Sequence, residues 1–237
     1  MNVTEIIAEL ETLADPRAVA AWTKMNISHE KYIGVNLTKL KEVAKNIGRS
    51  HTLSLELWNT GIHDAKLLAT MIEESKKVSR QQIKQQSAQI FSPDLADKYI
   101  SNVVAGTPYA AELVGEWIGN RNEMLRRCAY MLMAALAKTS KRLQDSFFSP
   151  FLDRIQREIG EEANWVREAM NWAVIQIGSR GTAMNKKAQE VARAIGPVEI
   201  DYGDTSCKVP DAIKSLTAPR LHTSFAKAAA AELAERR

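Results

Sequence analysis

Three positively charged side chains stand at similar places in three stretches of helical apolar spacing. Each comes three residues before a small or apolar residue: Lys66 before Ala69, Arg126 before Ala129, and Arg167 before Met170. Side chains at matching positions of successive helices line one face of a helical stack. Such a face suits a long partner better than a small metabolite.

The cysteines and histidines do not indicate a disulfide, a metal site or a catalytic histidine. Cys128 and Cys207 lie 79 positions apart, with no Cys-x-x-Cys and no histidine at ligand spacing. The sequence therefore indicates neither a disulfide framework nor a zinc site, and reduced thiols are expected. The four histidines are scattered, and each is interpreted as a surface or capping residue rather than a catalytic one: His29, His51, His63 and His222.

The composition is that of an ordinary globular protein. The chain has 237 residues, of which 45% are hydrophobic and 25% charged, and its net charge of +4 permits a polyanionic partner without demanding one. The longest apolar run, 128–137, is too short for a membrane span of about 20 residues. Acidic residues within the first twenty positions argue against a signal or transit peptide, so we expect a cytoplasmic chain.

Prolines and glycines mark the ends of helices. Four pairs place an oxygen acceptor before a proline, as at a helix start: Asp15-Pro16, Ser92-Pro93, Thr107-Pro108 and Ser149-Pro150. Six glycines follow stretches of helical period, as at helix ends: Gly48, Gly106, Gly119, Gly160, Gly178 and Gly196. A further helix is expected from about Phe225 to Arg237, after a break at Ala218-Pro219.

Between these marks the apolar residues recur at intervals of three and four, as in Leu67, Leu68, Met71 and Ile72. Only residues 198–202 alternate like a strand, and a single strand has nothing to pair with. We therefore predict an all-α protein of about twelve helices and no sheet.

The spacing of the cations indicates a helical repeat. Arg126 and Arg167 lie 41 positions apart, within the HEAT period of about 40 to 47, whereas Lys66 and Arg126 are 60 apart. The sequence thus predicts a degenerate HEAT-like solenoid, curved so that one helix of each pair lines its concave face, and leaves an irregular bundle as the alternative. We expect a repeat domain over 1–196 and a C-terminal extension over 197–237, packed on the solenoid or trailing it.

Several strings, taken together in their order and spacing, resemble the DNA alkylation repair family of AlkD-type HEAT-like proteins. They are Tyr-Ile-Gly-Val at 32–35, Glu-Leu-Trp at 56–58, Gly-Ile-His-Asp-Ala-Lys-Leu-Leu-Ala at 61–69, Leu-Arg-Arg-Cys-Ala at 125–129 and Trp-Val-Arg-Glu-Ala-Met-Asn-Trp at 165–172. The likeness covers about residues 20 to 180. Residues 196–212 resemble a C-terminal extension of longer members.

The resemblance implies a C-shaped solenoid with a basic concave face that binds duplex DNA. Its best known members excise cationic alkylated purines without flipping the base into a pocket. Such a base already carries positive charge, so it leaves without a general acid. The protein needs only to stabilise the oxocarbenium character of the sugar and to position a water molecule. A carboxylate flanked by aromatic rings suits that task.

Carried over by position, the resemblance implies that Arg127 contacts the lesion-bearing DNA backbone and that Trp172 packs against the deoxyribose at the lesion. Trp22 matches, more loosely, an aromatic residue contributed by the N-terminal helices. With Lys66, Arg126 and Arg167 these form the predicted DNA-binding set. Other interpretations stay open. Trp165 and Trp172 share a helical face, so at least one is expected in the core, and Trp58 and Trp117 are interpreted as packing residues. Arg126 and Arg127 could be solvated or form an interhelical ion pair.

The sequence departs from the family at the catalytic acid. Glycosylase members carry Trp-Asp-x-x-Asp before the arginine helix, whereas here Val103 replaces the tryptophan and Thr107 the second aspartate. Asp97 and Glu112 are the nearest carboxylates, ten positions before and five after Thr107, and neither offset keeps the helical face. Glu112 is a weak substitute candidate, so we expect base excision to be weak or lost.

Three hypotheses follow: a DNA-binding protein that recognises duplex or alkylated DNA with little excision, an active glycosylase with a substitute carboxylate, or a protein-interaction scaffold. The last is favoured if the cations are dispersed or paired with carboxylates. The expected partner is DNA and the expected state a monomer. No metal motif, phosphate loop or nucleotide fingerprint is found in the sequence, so no cofactor is predicted.

Overall fold

A computed structural model describes residues 1–28 and 31–235, and the side chains of the last helix up to Lys227. The described residues form α-helices and contain no strand, as predicted. The helices are α1 Val3–Thr12, α2 Pro16–Lys24, α3 Leu37–Ile47, α4 His51–Asn59, α5 His63–Ile72, α6 Arg80–Ser87, α7 Pro93–Asn102, α8 Ala110–Trp117, α9 Glu123–Thr139, α10 Asp145–Glu158, α11 Asn164–Gly178, α12 Thr182–Ile195, α13 Ala212–Leu216 and α14 Pro219–Glu235.

The chain divides into two compact units, and the boundary falls inside α9. The first unit holds Met1–Cys128 and Asp201–Cys207, and the second holds Ala129–Ile200 and Lys208–Arg237. In the first, α4 packs on α5, and α5 also packs on α3 and α7. In the second, α12 packs on α10 and α11, and α13 lies against both α11 and α12. The predicted division at residue 196, the curvature and the basic inner face stay predictions.

Local capping explains where many of the helices begin. The Asp15 carboxylate accepts a hydrogen bond from the Arg17 backbone N–H (3.0 Å) with Pro16 in the first turn, so α2 begins where predicted. Its bond to the Arg17 guanidinium lowers the pKa of Asp15. Gly48 and Gly196 end α3 and α12 with φ of 77° and 75°, a region that glycine enters at little cost.

Two predicted helix starts are wrong. The Thr107 hydroxyl donates to the Val104 carbonyl (2.8 Å) and closes a single 3-10 turn, so α8 begins only at Ala110. Helix α10 begins at Asp145, five residues before Pro150, which lies inside it. Burial of Phe148 on the same helical face as Leu152 and Ile155 favours this earlier start over the local proline signal.

The helical period predicted the core well. Leu68, Ala69 and Ile72 of α5 are fully buried, as are Val166 and Ile177 of α11. Trp58 and Trp117 are also buried, which confirms their interpretation as packing residues. The last helix begins at Pro219, earlier than predicted, and its expected end at Arg237 lies outside the described residues.

Glycine is required at one close approach of the C-terminal segment to α2. Gly203 has φ of 63°, and a Cβ there would lie 2.0 Å from the Lys24 carbonyl oxygen. The next backbone N–H, that of Asp204, donates to the same oxygen (2.7 Å). Residues 201–207 therefore hold the end of the helix that carries Trp22.

Candidate functional site

A buried carboxylate joins two of the family-like strings in the first unit. Asp64 of α5 has no exposed surface and accepts backbone hydrogen bonds from Ile33 (2.6 Å), Gly34 (3.2 Å) and Val35 (2.7 Å). Three N–H donors compensate the buried charge and fix the segment before α3 against the start of α5. The strings at 32–35 and 61–69 thus share a structural task.

His63 joins an aromatic side chain to an acid. It is only 4% exposed, and its Nε2 lies 2.9 Å from Asp94 Oδ2 on α7. Its ring meets the Trp22 ring edge to face at 5.1 Å, and Trp22 also contacts Tyr32 at 5.8 Å. The prediction of a surface or capping histidine is therefore wrong for His63, because the neighbouring helices α2 and α7 enclose it. His29 lies outside the described residues.

Arg127 forms a bidentate ion pair with Asp97. Its Nε and Nη2 lie 3.0 and 2.8 Å from the two carboxylate oxygens, and the Arg127 side chain is 2% exposed while that of Asp97 is 33% exposed. This is the interhelical pair that the sequence left open as an alternative. Burial, and then the charge of Asp97, raises the pKa of the adjacent Cys128 to about 12.

Trp22 and the partners of His63 and Arg127, Asp94 and Asp97, border a cavity of about 440 Å³, here named the Trp22 cavity. Its walls include Trp22, Asp94, Asp97 and Lys98, with apolar residues of α2, α3 and α5 completing them. The lining contains two carboxylates and one ammonium group, and the carboxylates are bonded to His63 and Arg127, so the wall is weakly acidic beside an aromatic ring. Such a wall stabilises positive charge better than negative charge.

Neither Thr107 nor the substitute candidate Glu112 lies at this cavity, whereas Asp97, the other nearby carboxylate, does. Thr107 is 7% exposed and its hydroxyl is bonded within its own turn. The Glu112 side chain is 67% exposed and forms an ion pair with Arg80, which also pairs with Glu116. The carboxylates beside an aromatic ring come instead from α7, where Asp97 and Asp94 lie six and nine positions before Val103.

A signal for these acids was present in the sequence. Asp94 directly follows Pro93 and Asp97 comes three positions later, so they share a helical face near the start of a helix. Arg127 follows Asp97 by 30 positions. Alignment with the family string drew attention to Thr107 and away from this pair.

The second unit contains a different tryptophan site. Trp172 of α11 is half-buried and borders a cavity of about 500 Å³, here named the Trp172 cavity, together with Arg220 of α14 and Pro210. No carboxylate is found among the described residues that line it. Trp165 is also half-buried, and Arg167 has its Nε buried without a hydrogen-bond partner. An aromatic ring beside a guanidinium suits an anionic, base-bearing polymer.

Two remaining predicted cations have structural contacts. Lys66 is 9% exposed, with Nζ 5.5 Å from the centroid of the Trp58 ring. Arg126 donates to the carbonyls of Asn120 (2.9 Å) and Arg121 (3.1 Å) at the loop before α9. DNA contact by the predicted set as a whole stays a prediction.

Among residues 1–28 and 31–235 no group of three or more histidine, cysteine, aspartate or glutamate side chains is arranged to hold a metal ion. Within the same part of the chain, no helix has both the length and the apolar character needed to cross a membrane.

Comparison with known proteins places the chain among helical-repeat proteins. The family model described as DNA alkylation repair enzyme matches residues 6–216. The chain is 22% identical to protein Lin0241 of Listeria innocua, over 91% of this chain and 96% of that protein. It is 21% identical to protein Lmo0209 of Listeria monocytogenes, over 92% and 97%.

A solved structure has a similar fold. It is described as a new family of proteins related to the HEAT-like repeat DNA glycosylases with affinity for branched DNA structures. The TM-score is 0.83 at 21% identity, and the likeness covers 95% of this chain and 96% of that one. This likeness confirms the predicted HEAT-like helical-repeat fold.

Proposed function

This chain belongs to the DNA alkylation repair enzyme family, and on that premise we propose that it binds duplex, distorted or branched DNA with little or no base excision. The observation that carries the binding is the Trp172 cavity, where Arg220 stands beside an aromatic ring and no described acid opposes it. The affinity of the solved relative for branched DNA supports that class of substrate by analogy of fold.

Weak excision is supported by the partners of the two acids in the Trp22 cavity. Both oxygens of Asp97 accept from Arg127, and Asp94 is bonded to His63. A carboxylate whose charge is already balanced by a guanidinium stabilises a developing oxocarbenium ion less than a free one. The family chemistry would therefore proceed slowly, if at all, at this cavity.

Binding is tested by fluorescence anisotropy with labelled duplex and three-way junction DNA, over about 50 to 200 mM salt. We expect the affinity to fall with salt, and Arg220→Ala to reduce the log-log slope by about 0.9, the value for one lost phosphate contact. Arg17→Ala is the matched control, because it removes the same charge from a side chain that is 90% exposed and paired with Asp15. An affinity independent of salt would overturn the proposal and favour a protein-interaction scaffold.

An active glycosylase is the second candidate, because Trp22 and two carboxylates do share one cavity. In that reaction the bond between the sugar carbon and the purine nitrogen breaks. Its electron pair neutralises the cationic base, and water adds to the sugar carbon with loss of a proton. Asp97, rather than Glu112, is the substitute carboxylate that this arrangement favours.

The two candidates differ in a single-turnover assay with methylated DNA and protein in excess. The second candidate requires release of methylpurine that is lost in Asp97→Asn and kept in Glu112→Gln. Absence of release by the unaltered protein removes this candidate and leaves DNA binding intact. With DNA as partner, we also propose a monomer in the cytosol or nucleoid.

A further inference from the structure

A second cleft in the first unit is left unused by the function proposed above. It has a volume of about 320 Å³ and is bordered by residues that follow α2, precede and begin α5, and precede and begin α7. Its chemically active members are Lys31, Lys66, Gln89, Phe91 and Ser92. We name it the Phe91 cleft. Its volume is at the lower end of the range that suits a small ligand or one residue of a polymer.

Ser92 gives this cleft an unsatisfied polar group. The residue is 2% exposed and stands at the N-cap of α7, yet its hydroxyl has no hydrogen-bond partner among the described residues. A serine at this position ordinarily accepts from an N–H of the first turn. Here the Leu95 N–H donates to the Asp94 carboxylate instead (2.9 Å), which leaves the Ser92 hydroxyl available. A buried polar group without a partner is unusual and indicates a missing ligand or water.

The charge around this hydroxyl suits an anion. Lys31 and Lys66 both border the cleft, and the N-terminus of the ten-residue helix α7 adds partial positive charge. The Asp94 carboxylate is nearby, but its bonds to His63 and to the Leu95 N–H offset the repulsion between its negative charge and an anion. A hydroxyl donor and two ammonium groups are the usual partners of a phosphate group.

The mouth of the cleft carries an aromatic platform. Phe91 is 76% exposed, the largest exposed fraction among the large hydrophobic side chains of the described residues. An unpaired base stacks on such a ring whatever its sequence. Gln89 adds hydrogen-bonding capacity, because Trp58 Nε1 donates to its Oε1 (3.1 Å) and leaves its amide N–H groups as donors.

We propose that the Phe91 cleft holds one unpaired nucleotide of branched or distorted DNA. Its phosphate would lie between Lys31, Lys66 and the Ser92 hydroxyl, and its base would stack on Phe91. Occupation of the cleft presupposes the DNA binding proposed above. It adds a structural reason for preferring a branch over a plain duplex, since a fully paired duplex offers no free base.

The test compares two labelled DNAs of equal length, a three-way junction with one unpaired nucleotide at the branch and a fully paired duplex. We expect Phe91→Ala to raise Kd for the junction about tenfold and to change Kd for the duplex by less than about twofold. Phe91→Trp should retain junction binding, because it keeps the stacking ring. Phe91→Leu should not, because it keeps only the apolar contact. Because Phe91 is highly exposed, we expect these variants to fold with nearly unchanged stability.

The phosphate part of the cleft is tested with Lys31→Gln and Ser92→Ala. Both should weaken junction binding, and Lys31→Gln should also lower the salt slope by about 0.9. Equal weakening on junction and duplex, or no weakening by any variant, overturns the inference. If the unaltered protein binds neither DNA, the proposed function fails as well. If the unaltered protein binds the junction and Phe91→Ala leaves that Kd unchanged, only the cleft inference fails.

Discussion

The Trp22 cavity and the Trp172 cavity both border a half-buried tryptophan, but the charges of their walls are opposite. The first faces two carboxylates and one lysine, and the second faces Arg220 with no acid among its described residues. An acidic wall favours a cation, such as an alkylated base or a developing oxocarbenium ion, whereas a guanidinium favours a phosphate. From this comparison we expect that an aromatic residue alone does not define a DNA-contacting site. We expect the charge beside the ring to decide which ligand it favours.

Both cavities also depend on the C-terminal segment. Residues 201–207 hold α2, which carries Trp22, through Gly203 and Asp204 against the Lys24 carbonyl. Pro210, Arg220 and Leu221 supply part of the wall beside Trp172. The extension predicted from residue 197 therefore contributes to each site, in two different ways.

Substitution of Arg127, whose partner Asp97 lines the Trp22 cavity, should have the largest effect on the free energy of unfolding. Arg127→Ala leaves Asp97 without its bidentate partner, and removing one member of a buried pair costs about 3 to 5 kcal/mol in the free energy of unfolding. Urea denaturation measures this cost. Arg17→Ala should change stability by less than about 0.5 kcal/mol, because that side chain is exposed. A cost below about 1 kcal/mol for Arg127→Ala would mean that the pair does not hold the wall of this cavity.

The anchor of the C-terminal segment is tested by Gly203→Ala. The substitution places a Cβ against the Lys24 carbonyl at positive φ, and we expect a loss of about 1 to 3 kcal/mol. Gly119→Ala is the control, since a Cβ there meets nothing within 4 Å and no positive φ is required. Thermal unfolding of the two variants gives the difference. Equal Tm values would show that residues 201–207 do not stabilise the Trp22 side.

The opposite charges of the two cavities predict unequal roles for their tryptophans. Trp172→Ala should weaken junction binding about tenfold, because it removes an aromatic surface beside a cation. Trp22→Ala should weaken it by less than about threefold, because two acids disfavour a phosphate there. Anisotropy at one fixed salt concentration compares them. The reverse order would place the phosphate path at the Trp22 cavity and contradict this assignment of roles.

The smallest effect concerns the two thiols. Cys128 is buried with its pKa raised to about 12, whereas Cys207 is exposed. At pH 8 a thiol reagent should therefore modify Cys207 alone in the native protein and both residues after denaturation. Rapid modification of Cys128 would indicate that the core beside Asp97 opens readily.

The same shift predicts a pH dependence of stability. The folded state keeps the Cys128 proton to higher pH than the unfolded state, whose thiol has a pKa near 9.0. The free energy of unfolding should thus decline as the pH rises from 9.0 toward 12. Cys128→Ser provides the comparison, and an unchanged decline in that variant would assign the effect to other groups.

Much of the fold was predictable because helix signals are local. The apolar period found the buried faces of α5 and α11, and Asp15-Pro16 marked the start of α2. Thr107-Pro108 failed because the same hydroxyl could serve a 3-10 turn as well as a helix cap. The choice between those two uses depends on packing, which no nearby residue encodes.

The candidate sites were less predictable, since their members meet across long separations. The bonds from His63 to Asp94 and from Asp97 to Arg127 span 31 and 30 positions. The family resemblance, carried over by position, predicted that Trp22, Trp172 and Arg127 contact DNA. It did not predict that Arg127 would be neutralised by Asp97, or that His63 would be enclosed.

By itself the sequence determined that the chain is helical, where several helices begin or end, and which faces are apolar. These properties depend on residues within about one or two turns of each other. Only the tertiary structure decided which charges stand beside which aromatic rings, and which cations are paired. That outcome depends on how α2, α5, α7 and α9 pack, because Coulomb interactions act through space and not along the chain.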